Sequence, residues 1–421
     1  MTSFWHGYAD MSLVPGNEIV MSRGEGVWIH DTNGNRYLDA TASLWYCNVG
    51  HGRTEIAEAV ARQVADLAGY STFGFTTTPP TRELADRLVA MAPIDDAVVF
   101  MTTGGSDAIE TAAKLIRRYW NAVGRPEKRI IVARELSYHG MNAWGTELGG
   151  LPSNSEGYGG PLVPHVVHVP THDTSAVADL FEREGGRIAA FVGEPVIGSG
   201  GVVPPADGYW PEIERLCRAH DVLLVADEVI TGFGRVGRDF GAQHYGFTPD
   251  VIAFAKGVTS GYAPLGGILV SPRVREPFWS GQAMFRHGYT YSGHAASCSA
   301  ALANLDILER EGLVARVAEL DPILASGVRR LESHPVVDST RAAGLLAAVV
   351  LSEDALEEDP GLLDAVVRAA LERGIITIGL RGAYGVLQIS PPFVITESEI
   401  DHMLSGLADA VAEVATERGF G

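Results

Sequence analysis

Val222-Leu223-Leu224-Val225-Ala226-Asp227-Glu228-Val229, a glycine-rich turn at Ile230-Thr231-Gly232-Phe233-Gly234-Arg235, and Val251-Ile252-Ala253-Phe254-Ala255-Lys256-Gly257 decide the fold of this chain. Each apolar run is short, β-branched and bounded by turn residues, the pattern of a strand buried on both faces of a parallel sheet. The first run ends on a carboxylate and the second on an amine. In open α/β sheets ligands sit beyond the carboxyl ends of the strands, so Asp227 and Lys256 are expected to face one pocket. The chain has only three lysines, Lys114, Lys128 and Lys256, although Lys and Arg together number 32. Lys114 falls on a charged helix with Arg117 and Arg118, and Lys128 in the loop Arg125-Pro126-Glu127-Lys128-Arg129; both are expected to be solvated. Lys256 follows a strand with no charge beside it, and a desolvated lysine has a lowered pKa and can act as a Schiff-base nucleophile. Taken singly, Lys256 reads equally as a snorkelling side chain and Asp227 as a structural carboxylate.

As a pair they match the anchors of pyridoxal 5'-phosphate (PLP), a lysine Schiff base with an aspartate on the pyridinium nitrogen. The run from Asp227 to Arg235, followed by Ala255-Lys256-Gly257, resembles the class III PLP-dependent aminotransferases, and the similarity covers about residues 26–396. It implies the α/β fold-type-I (aspartate aminotransferase-like) architecture. That is a mostly parallel seven-stranded sheet in a large PLP-binding domain, residues 56–310, plus a small α+β domain. The small domain would combine an N-terminal segment, residues 1–55, with the C-terminal residues 311–421.

Composition agrees with an enzyme of small molecules. With 421 residues, 46% of them hydrophobic, the chain can bury a large core and hold two domains. Asp plus Glu outnumber Lys plus Arg 52 to 32, a net charge of −20, which argues against nucleic acid or an anionic membrane as partner. Cys47, Cys217 and Cys298 are odd in number and lack metal-ligand spacing, so no metal is expected and reduced thiols in a cytoplasmic protein fit best. The first residues have neither the basic head nor the apolar core of a signal peptide, and no apolar run approaches the ~18 residues of a membrane span. There is no internal repeat.

Further candidates follow along the chain. Asn33-Gly34 between two alternating segments is a hairpin signal. Residues 43–52 are aromatic but broken by glycine and read as loop; Trp45 there is core packing by itself, while the resemblance sets it against the substrate amine's side chain. A second loop, residues 69–80, carries Phe73, which the resemblance places at a dimer interface near the neighbouring site as a substrate contact. A strand at residues 97–101 runs into Thr102-Thr103-Gly104-Gly105-Ser106-Asp107 and a helix over 108–121. Free N–H groups at such a helix start suit a phosphate, although an ordinary glycine turn reads the same. The family has serine where Gly104 stands, so one hydroxyl contact is missing while the backbone donors at Gly104, Gly105 and Ser106 remain.

Tyr138 ends the strand at 129–133 and can stack on a heteroaromatic ring; a wedge under a loop is the alternative. Glu194 ends the strand at 189–193 and either orients Tyr138 or the cofactor's ring oxygen or serves as a structural acceptor. The resemblance packs Val229 beneath the ring and sends Tyr289 and Thr290 across a twofold axis to a partner's cofactor phosphate, although alone Thr290 is a turn residue before a helix. Ala295 stands where the family has proline. Arg381 lies in Gly379-Leu380-Arg381-Gly382-Ala383-Tyr384-Gly385; a lone loop arginine is ordinarily solvated, and the resemblance makes it a movable fork for a substrate carboxylate.

The expected reaction is ping-pong transamination, from an amine or ω-amino acid to a keto acid such as pyruvate, closest to the ω-amine:pyruvate subgroup. Lys256 would carry PLP and shuttle the substrate proton while Asp227 keeps the ring nitrogen protonated. The partners implied are a small amine, a keto acid and a second subunit, as a homodimer with shared sites or a tetramer. Alternatives on the same scaffold are a β-alanine, taurine, diamine or diamino-acid transaminase, or an aminomutase. A non-catalytic aminotransferase-like binding module would have lost Lys256 or Asp227, and both are present.

Overall fold

The computed structural model describes residues 3–381 and 385–420. An antiparallel hairpin begins it, with strands β1 Met21–Glu25, β2 Trp28–Asp31 and β3 Arg36–Asp39. The Asn-Gly turn forms as expected. Asp31 ties it down by accepting from the Asn33 amide at 2.9 Å and the Asn35 amide at 2.8 Å, and Gly34 has φ 88°.

Seven strands make the central sheet: β4 Val98–Thr102, β5 Ile130–Arg134, β6 Val166–Val169, β7 Ile188–Gly193, β8 Leu223–Asp227, β9 Val251–Phe254 and β10 Gly266–Val270. Their order is β4-β10-β9-β8-β7-β5-β6, with only β10 running against its neighbours. Every residue of β7, β8 and β9 is buried. Side chains alternate between the faces, so Leu224, Ala226, Ile252 and Phe254 join one core while Leu223, Val225, Val251 and Ala253 join another. Each fully buried leucine or valine is worth about 2 kcal/mol, and burial on both faces explains why these strands read as continuous apolar runs. The second core also takes Ile109, Ala112 and Ile116 from the helix Gly105–Ala122, which follows β4 and starts three residues before the expected position.

The C-terminal part adds β11 Val337–Ala342, β12 Ala347–Leu351, β13 Ile375–Ile376, β14 Ile378–Arg381 and β15 Gly385–Ile389. Four of these form an antiparallel sheet in the order β11-β12-β15-β14, while β13 lies parallel to β3, with Ile375 opposite Leu38. The two ends of the chain therefore share a sheet. Arg235, fully buried, binds three distant segments by donating to the carbonyls of Leu345 at 2.9 Å and Pro391 at 2.8 Å and to Asn48 Oδ1 at 2.8 Å. The final helix, Glu397–Glu417, opens on a capping box between Thr396 and Glu399. Among the described residues no helix is long and apolar enough to cross a membrane.

One expectation fails. Lys128 is not solvated but 1% exposed, and its ammonium donates to the carbonyls of Gly185, Ile188, His220 and Asp221 at 3.1, 3.0, 3.3 and 2.6 Å. Converging carbonyls make up for the lost water, so charged sequence neighbours are no guide to its exposure. Lys114 is exposed as expected.

Candidate active site

Asp227 ends β8, and Lys256 stands two residues beyond the end of β9, the adjacent parallel strand. Lys256 has φ 49°, a left-handed conformation unfavourable to a side chain and typical of functional sites. Its neighbours leave little choice. A Cβ on Gly257 would lie 2.5 Å from Asn48 Nδ2, and Asn304 Nδ2 donates to the Gly257 and Val258 carbonyls at 2.9 and 3.0 Å. Among the described residues Lys256 Nζ has no hydrogen-bond partner; it sits 4.8 Å from the centre of the Trp45 ring. Burial pushes its pKa down to about 8, against the opposing pull of the Asp227 and Glu194 carboxylates. The amine is thus nucleophilic near neutral pH.

Asp227 is 4% exposed, with one oxygen 2.7 Å from His139 Nδ1 and the other accepting from the Val229 amide at 3.1 Å. The other His139 nitrogen, Nε2, is buried without a partner. Glu194 accepts from the Tyr138 amide at 3.0 Å and the Gly198 amide at 2.8 Å. Burial raises the pKa of Glu194. Burial also raises that of the Tyr138 phenol, with further contributions from the Tyr8 hydroxyl and the Asp227 and Glu194 charges.

The glycine turn meets this group from the side. A Cβ on Gly105 would lie 2.9 Å from Val229 Cγ1 and 3.7 Å from the Ala255 Cβ, so only glycine lets the helix start this close to Asp227 and Lys256. Ser106 Oγ accepts from the Met141 amide at 3.1 Å, which ties the turn to the loop carrying Tyr138 and His139. A desolvated amine without a polar partner, an oriented carboxylate and a helix start with room only for glycine fit the aldehyde, ring nitrogen and phosphate of PLP.

The remaining candidates have these surroundings among the described residues. The Tyr289 hydroxyl donates to the Asp107 carbonyl at 3.2 Å, Thr290 is exposed, and Phe73 is 55% exposed against Gly288. Arg381 is half-exposed and paired with Asp364 at 2.6 Å; Gly382, Ala383 and Tyr384 of its loop lie outside the described residues. Sequence reasoning missed His139, although it follows Tyr138 in the loop after β5. It also missed Asn48 and Asn304, whose roles depend on contacts with residues far away in the chain.

A lysine and an aspartate at the ends of neighbouring parallel strands, with a helix start beside them, define a PLP-dependent enzyme of fold type I. Residues 12–411 match the family "Aminotransferase class-III", and the chain belongs to it. It is 37% identical to a diaminobutyrate–2-oxoglutarate transaminase of Halomonas elongata, covering 98% of this chain and 93% of that one. It is also 37% identical to a putrescine–pyruvate aminotransferase of Pseudomonas aeruginosa, over 92% of this chain and 89% of that one. Among solved structures, an (S)-enantioselective ω-transaminase from Thermomicrobium roseum matches with a TM-score of 0.92 and 40% identity, over 97% of this chain and 96% of that one. A transaminase from a marine Virgibacillus matches with a TM-score of 0.94 and 34% identity, over 99% and 98%. The protein is a PLP-dependent transaminase.

Proposed function

We propose that this transaminase takes the amino group of a primary amine or ω-amino acid and delivers it to pyruvate or a similar keto acid, alternating the two in one site. The observation that carries this reading is the Lys256 amine set against the face of Trp45, a wall suited to an apolar donor. Bound PLP supplies an aldehyde that captures amines and a ring that accepts the electron pair left when the substrate C–H bond breaks. Lys256 Nζ would hold the cofactor and, as a free amine, would take and return the substrate's proton. Asp227, aimed by His139 and the Val229 amide, keeps a proton at the ring nitrogen. Gly104, Gly105 and Ser106 would hold the phosphate through backbone N–H groups, and Val229 and Tyr138 would hold the ring. Trp45 bounds the donor side.

Thr290, Tyr289 and Phe73 serve the site of a second copy in a homodimer. Arg381 leaves Asp364 to fork the keto acid's carboxylate; an exposed ion pair is worth at most about 1 kcal/mol, so the exchange costs little. The large domain, residues 56–310, carries the cofactor, and residues 1–55 with 311–421 form the small one. Three buried free cysteines suit the cytoplasm.

A diamine donor is the second reading, favoured by the two relatives acting on diaminobutyrate and putrescine. An aromatic wall can hold a distal ammonium through its ring face. A panel of apolar amines, ω-amino acids and diamines tested with pyruvate, reading alanine release, separates these. Turnover confined to α-amino acids would refute both.

A further inference from the structure

Two features near Trp45 break local rules of sequence. Ala42, Ser43 and Trp45 have φ of 45°, 59° and 61°, three positive values on non-glycine residues within four positions, interrupted only by Leu44 at φ −137°. Gln388 is fully buried in β15 between apolar Leu387 and Ile389, where an amide is costly unless it is hydrogen-bonded.

Both features lead to one indole. Fully buried Asp39 receives four donors: the Thr41 amide at 3.1 Å, the Thr41 hydroxyl at 2.8 Å, the Ser43 amide at 2.7 Å and His51 Nε2 at 2.8 Å. Those bonds hold the left-handed turn that presents Trp45. From the opposite side, with its amide oriented to suit its neighbours, the Gln388 oxygen accepts from Trp45 Nε1 at 3.0 Å and from the Ser390 amide at 3.2 Å. The end of β15 is itself tied to the turn, because the Ser390 amide donates to the Ala40 carbonyl at 2.7 Å and its hydroxyl to the Thr41 carbonyl at 3.2 Å. The indole is thus gripped by its backbone and by its only polar atom, and its remaining face lies over Lys256.

We propose that Asp39 and Gln388 are positioning residues that fix the Trp45 indole over Lys256 and thereby limit the size of the donor amine. The size limit rests on reading Trp45 as the donor-side wall; the grip on the indole does not. Without Gln388 the indole N–H is buried and unpaired, so the ring turns to find another partner. Without the Asp39 carboxylate the turn relaxes toward right-handed backbone. Either change widens the space above Lys256.

The test uses holoenzyme labelled with 5-fluorotryptophan, the Trp45 signal being identified by its loss in Trp45→Phe. Gln388→Leu is expected to shift or broaden that signal and leave the other tryptophans in place, while Gln388→Glu, which keeps an acceptor, restores it. An unmoved signal in Gln388→Leu overturns the proposal. In kinetics, Gln388→Leu and Asp39→Asn are expected to raise the kcat/KM ratio of a bulky aromatic amine over a compact one by about tenfold, the worth of one buried hydrogen bond. Most of that change should fall in KM. An equal change for both donors overturns the size limit. Gln388→Leu alone decides the matter should Asp39→Asn fail to fold. If Trp45→Ala leaves the donor ratio unchanged, the donor-side reading fails, and with it the size limit, while the fluorine signal still judges the grip.

Discussion

The state of the Lys256 amine before any amine arrives can be measured in the cofactor-free protein. Burial lowers its pKa from 10.5 to about 8. At pH 7.5 about a quarter of the amines would then be neutral, against about 0.1% for an ordinary lysine, a gain of about 200-fold in nucleophile. The shift corresponds to about 3 kcal/mol. Because the folded chain holds this proton less tightly than the unfolded one, that amount is a cost to stability. It is present in full below pH 8, fades as the pH rises through 8 to 10.5, and is gone above. The chain's three lysines make the assay clean. Dilute acetic anhydride is applied across a pH series, and peptide mapping follows Lys256 with exposed Lys114 as the reference. Lys256 should acetylate with a midpoint near 8. Asp227→Asn should move the midpoint lower still, since the Asp227 carboxylate opposes the burial. A midpoint equal to that of Lys114, or a rise in Asp227→Asn, would falsify the argument that desolvation activates this amine.

Three further outcomes follow from the same geometry. Gly105→Ala forces a Cβ to within 2.9 Å of Val229 Cγ1; overpacking of this kind costs about 1–3 kcal/mol, so PLP retention read by absorbance should weaken about tenfold, and unchanged affinity would mean the helix start does not touch the phosphate. Arg381→Ala should raise the KM for pyruvate about 10-fold to 100-fold, the worth of a charge-assisted pair, and leave an aldehyde acceptor unaffected; equal effects on both would remove the arginine from the acceptor site. Lys128→Met strands four carbonyls and should cost about 3 kcal/mol in urea unfolding of the holoenzyme, whereas a loss below about 1 kcal/mol would show that water replaces the ammonium.

What the sequence could show was whatever depends on neighbours along the chain. β7, β8 and β9 were legible because burial on both faces leaves continuous apolar runs, and the same runs placed Asp227 and Lys256 at adjacent ends. Lys128 misled because its neighbours Arg125, Glu127 and Arg129 are charged, while the carbonyls that hold it come from residues 185–188 and 220–221. His139 pairs with a residue 88 positions later, a contact that only the strand order β5-β7-β8 brings about. Thr290, Phe73 and Arg381 carry no local pattern that ties them to a particular site. The most instructive cases are the non-glycine residues of the left-handed turn at 42–45 and the glutamine at 388. Each looks like an error against local propensity, and a sequence consistent at every level would contain neither. They occur at opposite ends of the chain yet meet at one tryptophan, so a single demand, an indole that cannot turn, explains both departures. Strain of this kind persists only where the surroundings over-determine it, and here four bonds to Asp39 and one to Gln388 do so.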